Sequence, residues 1–175
     1  MNKILKERKI KVSKYVDILE RSLLINSKIE KYHSFSQSDY VSILAINEKK
    51  KFILVKQFRP ALKKFTLELP GGLRDKNEKP KDTAFRELYE ETGYIAKNIK
   101  FLGSFSPDSG RLSNKIHCFF SDNLNYDKNH KDEKGVKSIH YSKKSFLNIL
   151  KKNRIQHFLH VGIIYLAIYK KLIKL

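Results

Sequence analysis

The sequence has one cysteine and no tryptophan among its 175 residues. A single thiol, Cys118, leaves no intrachain disulfide to form, which agrees with a reducing compartment. Cys118 sits in the apolar run IHCFF and reads as a packed core thiol. Without Trp, any ring that stacks on a planar ligand must come from Tyr or Phe. Four Pro and seven Gly are too few for a Pro/Gly-rich linker, and no repeat is visible; this length fits one domain of ordinary size. Long hydrophobic runs are also missing. The longest, VGIIYLAIY (161–169), is too short to span a bilayer and is followed by KKLIKL. It reads as a C-terminal core helix, with an interfacial amphipathic helix as the alternative. The N-terminal MNKILKERKIKV is charged but has no apolar stretch, so no signal peptide is expected. A cytoplasmic protein without a membrane partner is expected.

Acid is the scarce charge: 18 Asp and Glu stand against 37 Lys and Arg, a formal net charge of +19. Seven of those 37 are Arg. Nucleic-acid surfaces usually lean on Arg, whose fork fits phosphate and base edges. Here Lys is spread along nearly the whole chain, as in KERKIK, EKKK and YKK. A solvated Lys-rich surface explains that spread, and it is compatible with steering of anionic substrates. No obligate nucleic-acid partner is expected.

What is present is mostly strand, with a few helices. Residues 11–26 show partial alternation and read as a strand pair. Tyr40 to Phe58 reads as a hairpin turned by NEKKK, and FTLELPGG as a short strand stopped by Pro70 and the paired glycines. Residues 80–92 predict a helix, with Pro80 in its first turn, Asp82 near its positive end, and Gly93 as its stop. Strands are expected at 98–106 and 115–121, a polar loop at 123–135, and a last strand in SIHYS. Ser142 caps a helix to about Asn153, and a final helix runs from about Gln156 to Lys171. The order predicts an α+β or layered α/β/α fold.

The scarce acids are not evenly spread. Glu87, Glu90 and Glu91 fall within five residues on the 80–92 helix, at i, i+3 and i+4. That spacing puts them on one stripe, where like charges cost a few tenths of a kcal/mol per pair. Arg86 offsets part of the repulsion, and a hard divalent cation offsets more, since Mg²⁺ takes carboxylate oxygens together with substrate phosphates. On helix spacing alone, a solvated acidic face is the favoured reading.

The wider spacing goes further. Gly72, Glu78, Arg86-Glu87, Leu88, Glu90-Glu91, Gly93 and Tyr94 resemble the Nudix box: Gly, five residues, Glu, seven residues, Arg-Glu, an aliphatic, one residue, Glu-Glu, one residue, Gly, an aliphatic. Every fixed position matches; Tyr94 stands where the family usually has Ile, Leu or Val. The flanks VKQFRPALKKFTLELPGG and FLGSFSPDSGRLSNK, with Arg59 in KQFRP and Pro107 downstream, look like the ADP-ribose pyrophosphatase branch of Nudix hydrolases.

The resemblance implies a Nudix fold, a mixed sheet between helices (residues 40–175) with an N-terminal β extension (residues 1–39). It implies Mg²⁺-dependent hydrolysis, with Mn²⁺ as the alternative metal, of a nucleoside diphosphate linked to another group, foremost ADP-ribose or another nucleotide sugar. A homodimer is implied as well. Glu87, Glu90, Glu91 and the Gly71 carbonyl would be metal ligands, at the mouth of a turn opened by Gly72; Arg86 and Glu78 would orient them. Glu133 is preferred as general base over Asp127 and Asp132 in the same loop, with Glu90 as the other alternative. Arg59, Arg111 and Gly72 would bind substrate, the two Arg through its phosphates, and Tyr32 or Phe35 would stack on a base. His157 and His160 read as structural. The competing expectations are a Nudix hydrolase of dinucleoside polyphosphates, NADH or capped RNA, and a Nudix-fold sensor without turnover. A sensor would be expected to lose box glutamates, and this chain keeps them all.

Overall fold

The computed structural model describes residues 3–175. Contacts divide them into two units: residues up to 39 together with 105–116, and residues 40–104 together with 117–175.

The first unit is an antiparallel sheet of β1 (Lys3–Lys11), β2 (Asp17–Ile25) and β3 (Lys28–Ser36), in that order. Asn26 and Ser27, both at positive φ, make the tight turn between β2 and β3. Arg21 ties the three strands together: its Nε donates to Glu7 at 2.6 Å and its Nη1 to Ser34 Oγ at 2.6 Å. The strand pair expected at 11–26 is corrected here. Lys11 ends one strand, residues 12–16 turn, and the strand before them was hidden because β1 is charged and exposed on both faces. Residues 105–116 join this unit through a parallel bridge between Phe35 and Leu112.

The second unit contains β4 (Tyr40–Ile46), β5 (Phe52–Arg59), β6 (Lys64–Glu68), α1 (Pro80–Thr92), β7 (Tyr94–Ala96), β8 (Lys100–Phe105), β9 (Ile116–Ser121), β10 (Leu124–Tyr126), β11 (Val136–Tyr141), α2 (Lys143–Lys151) and α3 (Phe158–Tyr169). Its main sheet runs β11-β5-β4-β9-β8, with β6 paired to β5. β4 and β5 are the expected hairpin. Asn47 closes its turn, its side-chain oxygen accepting the Lys49 and Lys51 N–H groups. Alternation assigns the two faces of β4. Val41, Ile43 and Ala45 pack with Ile53 against Ala84 and Leu88 of α1. On β5, the neighbour of Ile53, Phe52, stacks on Phe146 of α2 at 4.0 Å between centroids. Helices therefore cover both faces of a mixed sheet, as expected. No described helix is long and apolar enough to cross a membrane.

The α1 boundaries follow the sequence signals. Pro80 is its first residue, and Gly93, at φ 72°, returns its N–H to the Tyr89 carbonyl. Ser142 caps α2 by accepting the Ser145 N–H. The 123–135 segment is not wholly loop. Leu124, buried, begins β10, which pairs antiparallel with β7 from Tyr126↔Tyr94 to Leu124↔Ala96.

Candidate active site

Strand β6 delivers the chain to Pro70, Gly71 and Gly72, which lie along the start of β4. Ile43 N–H donates to the Pro70 carbonyl and Val41 N–H to the Gly72 carbonyl, both at 2.9 Å. The approach is so close that a Cβ on Gly71 would fall 2.1 Å from the Val41 carbonyl oxygen. A Cβ on Gly72 would fall 2.5 Å from the Glu87 carboxylate. The missing Cβ lets Gly71 lie against β4 and lets the Glu87 carboxylate lie on Gly72.

Glu87 and Glu91, one helical turn apart, face this turn and are largely buried, whereas Glu90 is half exposed. Gly71 N–H donates to Glu91 Oε2 at 2.8 Å. Burial is the main force raising the Glu91 pKa, to about 8; the charges of Glu87 and Glu133 add to it, and the Gly71 N–H and Arg59 oppose it. Glu87 is also raised, first by burial, with Arg86 opposing and Glu90 and Glu133 adding. Desolvation of both carboxyls, more than their mutual repulsion, disfavours the charged forms here.

Arg86 binds the rest together. Its Nε and Nη2 grip Glu78 at 3.0 and 2.9 Å; its Nη1 donates to Glu87 at 2.7 Å and Glu90 at 2.9 Å; its Nη2 also reaches the Leu73 carbonyl. Glu78 in turn accepts from Thr83 Oγ1 at 2.8 Å and from the Asp75 N–H. The Arg86 hydrogen bonds dominate in holding Glu78 at about 2. Arg86 thus contacts both Glu87 and Glu90, and Glu78 braces Arg86.

Among the described residues no three His, Cys, Asp or Glu side chains converge as a ready metal cluster. Arg86 holds Glu87 and Glu90, while Glu91 accepts the Gly71 N–H. The donor set still suits a hard divalent cation. It is all oxygen, and its two buried carboxylates carry charge that burial disfavours and a cation would relieve.

Arg59 is not a free cation. Its Nε and Nη2 form a bidentate pair with buried Glu68, at 2.8 and 2.6 Å, and Thr66 Oγ1 donates to the same carboxylate at 2.6 Å. Burial works against the Glu68 charge, yet these hydrogen bonds hold its pKa at about 2. Arg59 remains within electrostatic reach of Glu91. His160 accepts the Leu69 N–H at 3.1 Å and lies against His157, at 4.3 Å between ring centroids. Burial pushes the His160 pKa down to about 3, so it serves as a neutral structural acceptor. Glu133 is placed where its charge is felt at Glu87 and Glu91. In the other unit, Arg111 lies over the Tyr32 ring at 4.9 Å and donates to the His33 carbonyl, while its own carbonyl accepts the Phe35 N–H.

Sequence reasoning missed Glu68. The available signal was an acid at an inward position of the alternating FTLELPGG. It also missed His130 in the 123–135 loop, which no local pattern marks.

A Nudix domain model matches residues 37–158, and the chain belongs to the Nudix family. Hydrolases of that family generally work with divalent metal ions. Among similar proteins, an ADP-ribose pyrophosphatase of Bacillus subtilis is 37% identical over 110 residues, 63% of this chain and 58% of that protein. A methanol dehydrogenase activator of Bacillus methanolicus is 33% identical over 138 residues, 74% of this chain and 73% of that one. An ADP-sugar pyrophosphatase of Mus musculus is 45% identical over 62 residues, 35% of this chain and 28% of that one. A solved structure of an ADP compounds hydrolase shares the fold, with a TM-score of 0.80 and 19% identity over 95% of this chain and 91% of that one.

Proposed function

We propose that the protein is a Nudix pyrophosphohydrolase that uses Mg²⁺, or Mn²⁺ in its place, to cleave ADP-ribose or another nucleoside-diphosphate sugar. One observation supports the reading: Glu87 and Glu91 are buried against the Gly71–Gly72 turn, where desolvation disfavours their charged forms despite the nearby Arg86 and Gly71 N–H. Glu87, Glu90, Glu91 and the Gly71 carbonyl would hold the metal. A bound divalent ion would neutralise phosphate oxygens and lower the pKa of the attacking water. Glu133 accepts a proton from that water. The water oxygen bonds to one phosphorus as the bridging P–O bond breaks, and the bridging oxygen leaves on the other phosphate. The products are a nucleoside monophosphate and a sugar phosphate.

Arg86 and Glu78 keep the carboxylates aligned before substrate arrives, so less reorganisation is left for the reaction. Arg59, fixed by Glu68, offers its remaining guanidinium edge to a phosphate oxygen. Arg111 is a candidate anion contact within its own unit. Residues 1–39 would form the β extension to a catalytic domain from 40 to 175. A homodimer and a cytoplasmic setting complete the proposal; light scattering after size exclusion tests the dimer.

The relative with the larger overlap is a dehydrogenase activator, which favours one second reading. A nicotinamide dinucleotide also carries ADP joined through a pyrophosphate, and would be cleaved by the same chemistry. A panel of ADP-ribose, nucleotide sugars, NADH and dinucleoside polyphosphates, assayed with Mg²⁺ and then EDTA, tests both. Metal-dependent release of AMP is expected. A folded protein that cleaves no member refutes both readings.

A further inference from the structure

The last turn of α1 leaves the Glu90 carbonyl without an intrahelical donor. His130, from the segment between β10 and β11, fills that place, with its Nε2 3.0 Å from the Glu90 carbonyl oxygen. A carbonyl only accepts, so Nε2 carries the hydrogen. The His130 side chain is 4% exposed. Its ring meets Tyr89 edge-on, 5.2 Å between centroids, and sits in the space left by Gly93, where a Cβ would come within 2.8 Å of the imidazole. Nδ1 is buried without a hydrogen bond, and an Asp132 carboxylate oxygen 3.8 Å away is out of range.

A second fastening lies three residues earlier. Asp127 N–H donates to the Gly93 carbonyl at 3.0 Å, and its carboxylate accepts from the Tyr89 hydroxyl at 3.0 Å. Asp127 also folds its own segment, accepting the N–H groups of Asn129 and His130. The helix that carries the candidate ligands is therefore closed at its C-terminal end by the segment that carries Glu133, three residues beyond His130. Desolvating a ring with one orphan nitrogen costs free energy, and packing at the helix end alone could be met by an apolar side chain.

We infer that His130, assisted by the Tyr89–Asp127 pair, is a positioning residue that latches the 127–135 segment onto α1 so that Glu133 is held beside Glu87 and Glu91. The inference rests on the proposed role of Glu133 as general base. Misplacing a reacting group by about 1 Å can cost up to about 100-fold in rate, so the latch acts on turnover rather than on binding.

The test is a double-mutant cycle. kcat and KM for ADP-ribose are measured at saturating Mg²⁺ for wild type, His130→Ala, His130→Gln, Glu133→Gln and the combined His130→Ala/Glu133→Gln. Loss of the latch in His130→Ala should lower kcat about tenfold or more and leave KM within about twofold. His130→Gln, which returns an N–H donor at similar reach, should recover most of the rate. In the Glu133→Gln background the alanine change should cost less than about twofold, because what it positions is gone. Hydrogen exchange of the 127–135 amides should quicken in His130→Ala alone, and return toward wild type in His130→Gln. A wild-type kcat in His130→Ala, an equal loss in both backgrounds, a glutamine variant as slow as alanine, or unchanged exchange at 127–135 would each overturn the latch. Full activity in Glu133→Gln overturns the base assignment and the latch with it; absence of any hydrolysis by wild type overturns the function itself. Should His130→Ala not fold, Tyr89→Phe, which removes only the hydroxyl bond to Asp127, should show the same kcat-selective loss on a smaller scale, and a wild-type kcat there counts against the latch.

Discussion

Replacing Glu68 by Gln removes one negative charge from a buried site and leaves Arg59 without its fork partner. The ordinary value for such a carboxyl is 4.5, and in the folded protein it lies at about 2. That difference corresponds to roughly 3 kcal/mol of stabilisation as an upper bound. The Arg59 side chain is 43% exposed, so water screens the pair and about 1–2 kcal/mol is the better expectation. The sign follows from the depressed pKa. The contribution is fully present above pH 4.5 and is lost as pH falls toward 2, because the native carboxylate must then take up a proton that it resists. Urea denaturation of wild type and Glu68→Gln, repeated from pH 7 to pH 3, reads this directly. The gap should be constant from pH 7 to about 5 and should shrink by more than half near pH 3. Equal stability at pH 7, or a gap that persists undiminished at pH 3, would show that the ion pair does not stabilise the fold in the way its geometry indicates.

Glu91→Gln should abolish Mg²⁺-dependent hydrolysis by more than about 100-fold. Added Mg²⁺ should raise the Tm of wild type but not of this variant, and equal Mg²⁺ stabilisation of both would remove Glu91 from the ligand set. Gly72→Ala would push its methyl into the Glu87 carboxylate, so turnover should fall sharply while circular dichroism stays native; undiminished turnover would show that the carboxylate can move aside freely. Tyr94→Phe should lower stability in urea by about 1–2 kcal/mol, because the Asn47 amide loses a buried partner. A neutral result there would mean water reaches Asn47.

The candidate site was legible where its chemistry is local. Fixed spacing from Gly72 to Tyr94 marked the acids, and the helix that carries them obeys its own start and stop residues, Pro80 and Gly93. The partners that close the site are remote in sequence. His160 meets Leu69 across 91 positions, and Asp127 meets Tyr89 across 38. No spacing rule reaches that far. Strands β7 and β10 have three residues each, too short for alternation to register. In β1 the reverse holds: both faces are exposed, so no apolar alternation is imposed on its side chains. Tyr94, the one departure from the box, becomes intelligible once its place is seen. The ring is buried, and its hydroxyl accepts a hydrogen bond from Asn47 at 3.0 Å.

That bond makes β4 a ruler. At its beginning the strand holds Gly72 and Pro70 through Val41 and Ile43; just past its end, Asn47 grips Tyr94. Both termini of the motif are pinned to one straight rod, whose length increases by about 3.3 Å for each residue added. A single insertion within 41–46 would slide one anchor against the other. In any lineage that keeps both anchors, the span of this strand and the span from Gly72 to Tyr94 can change only together.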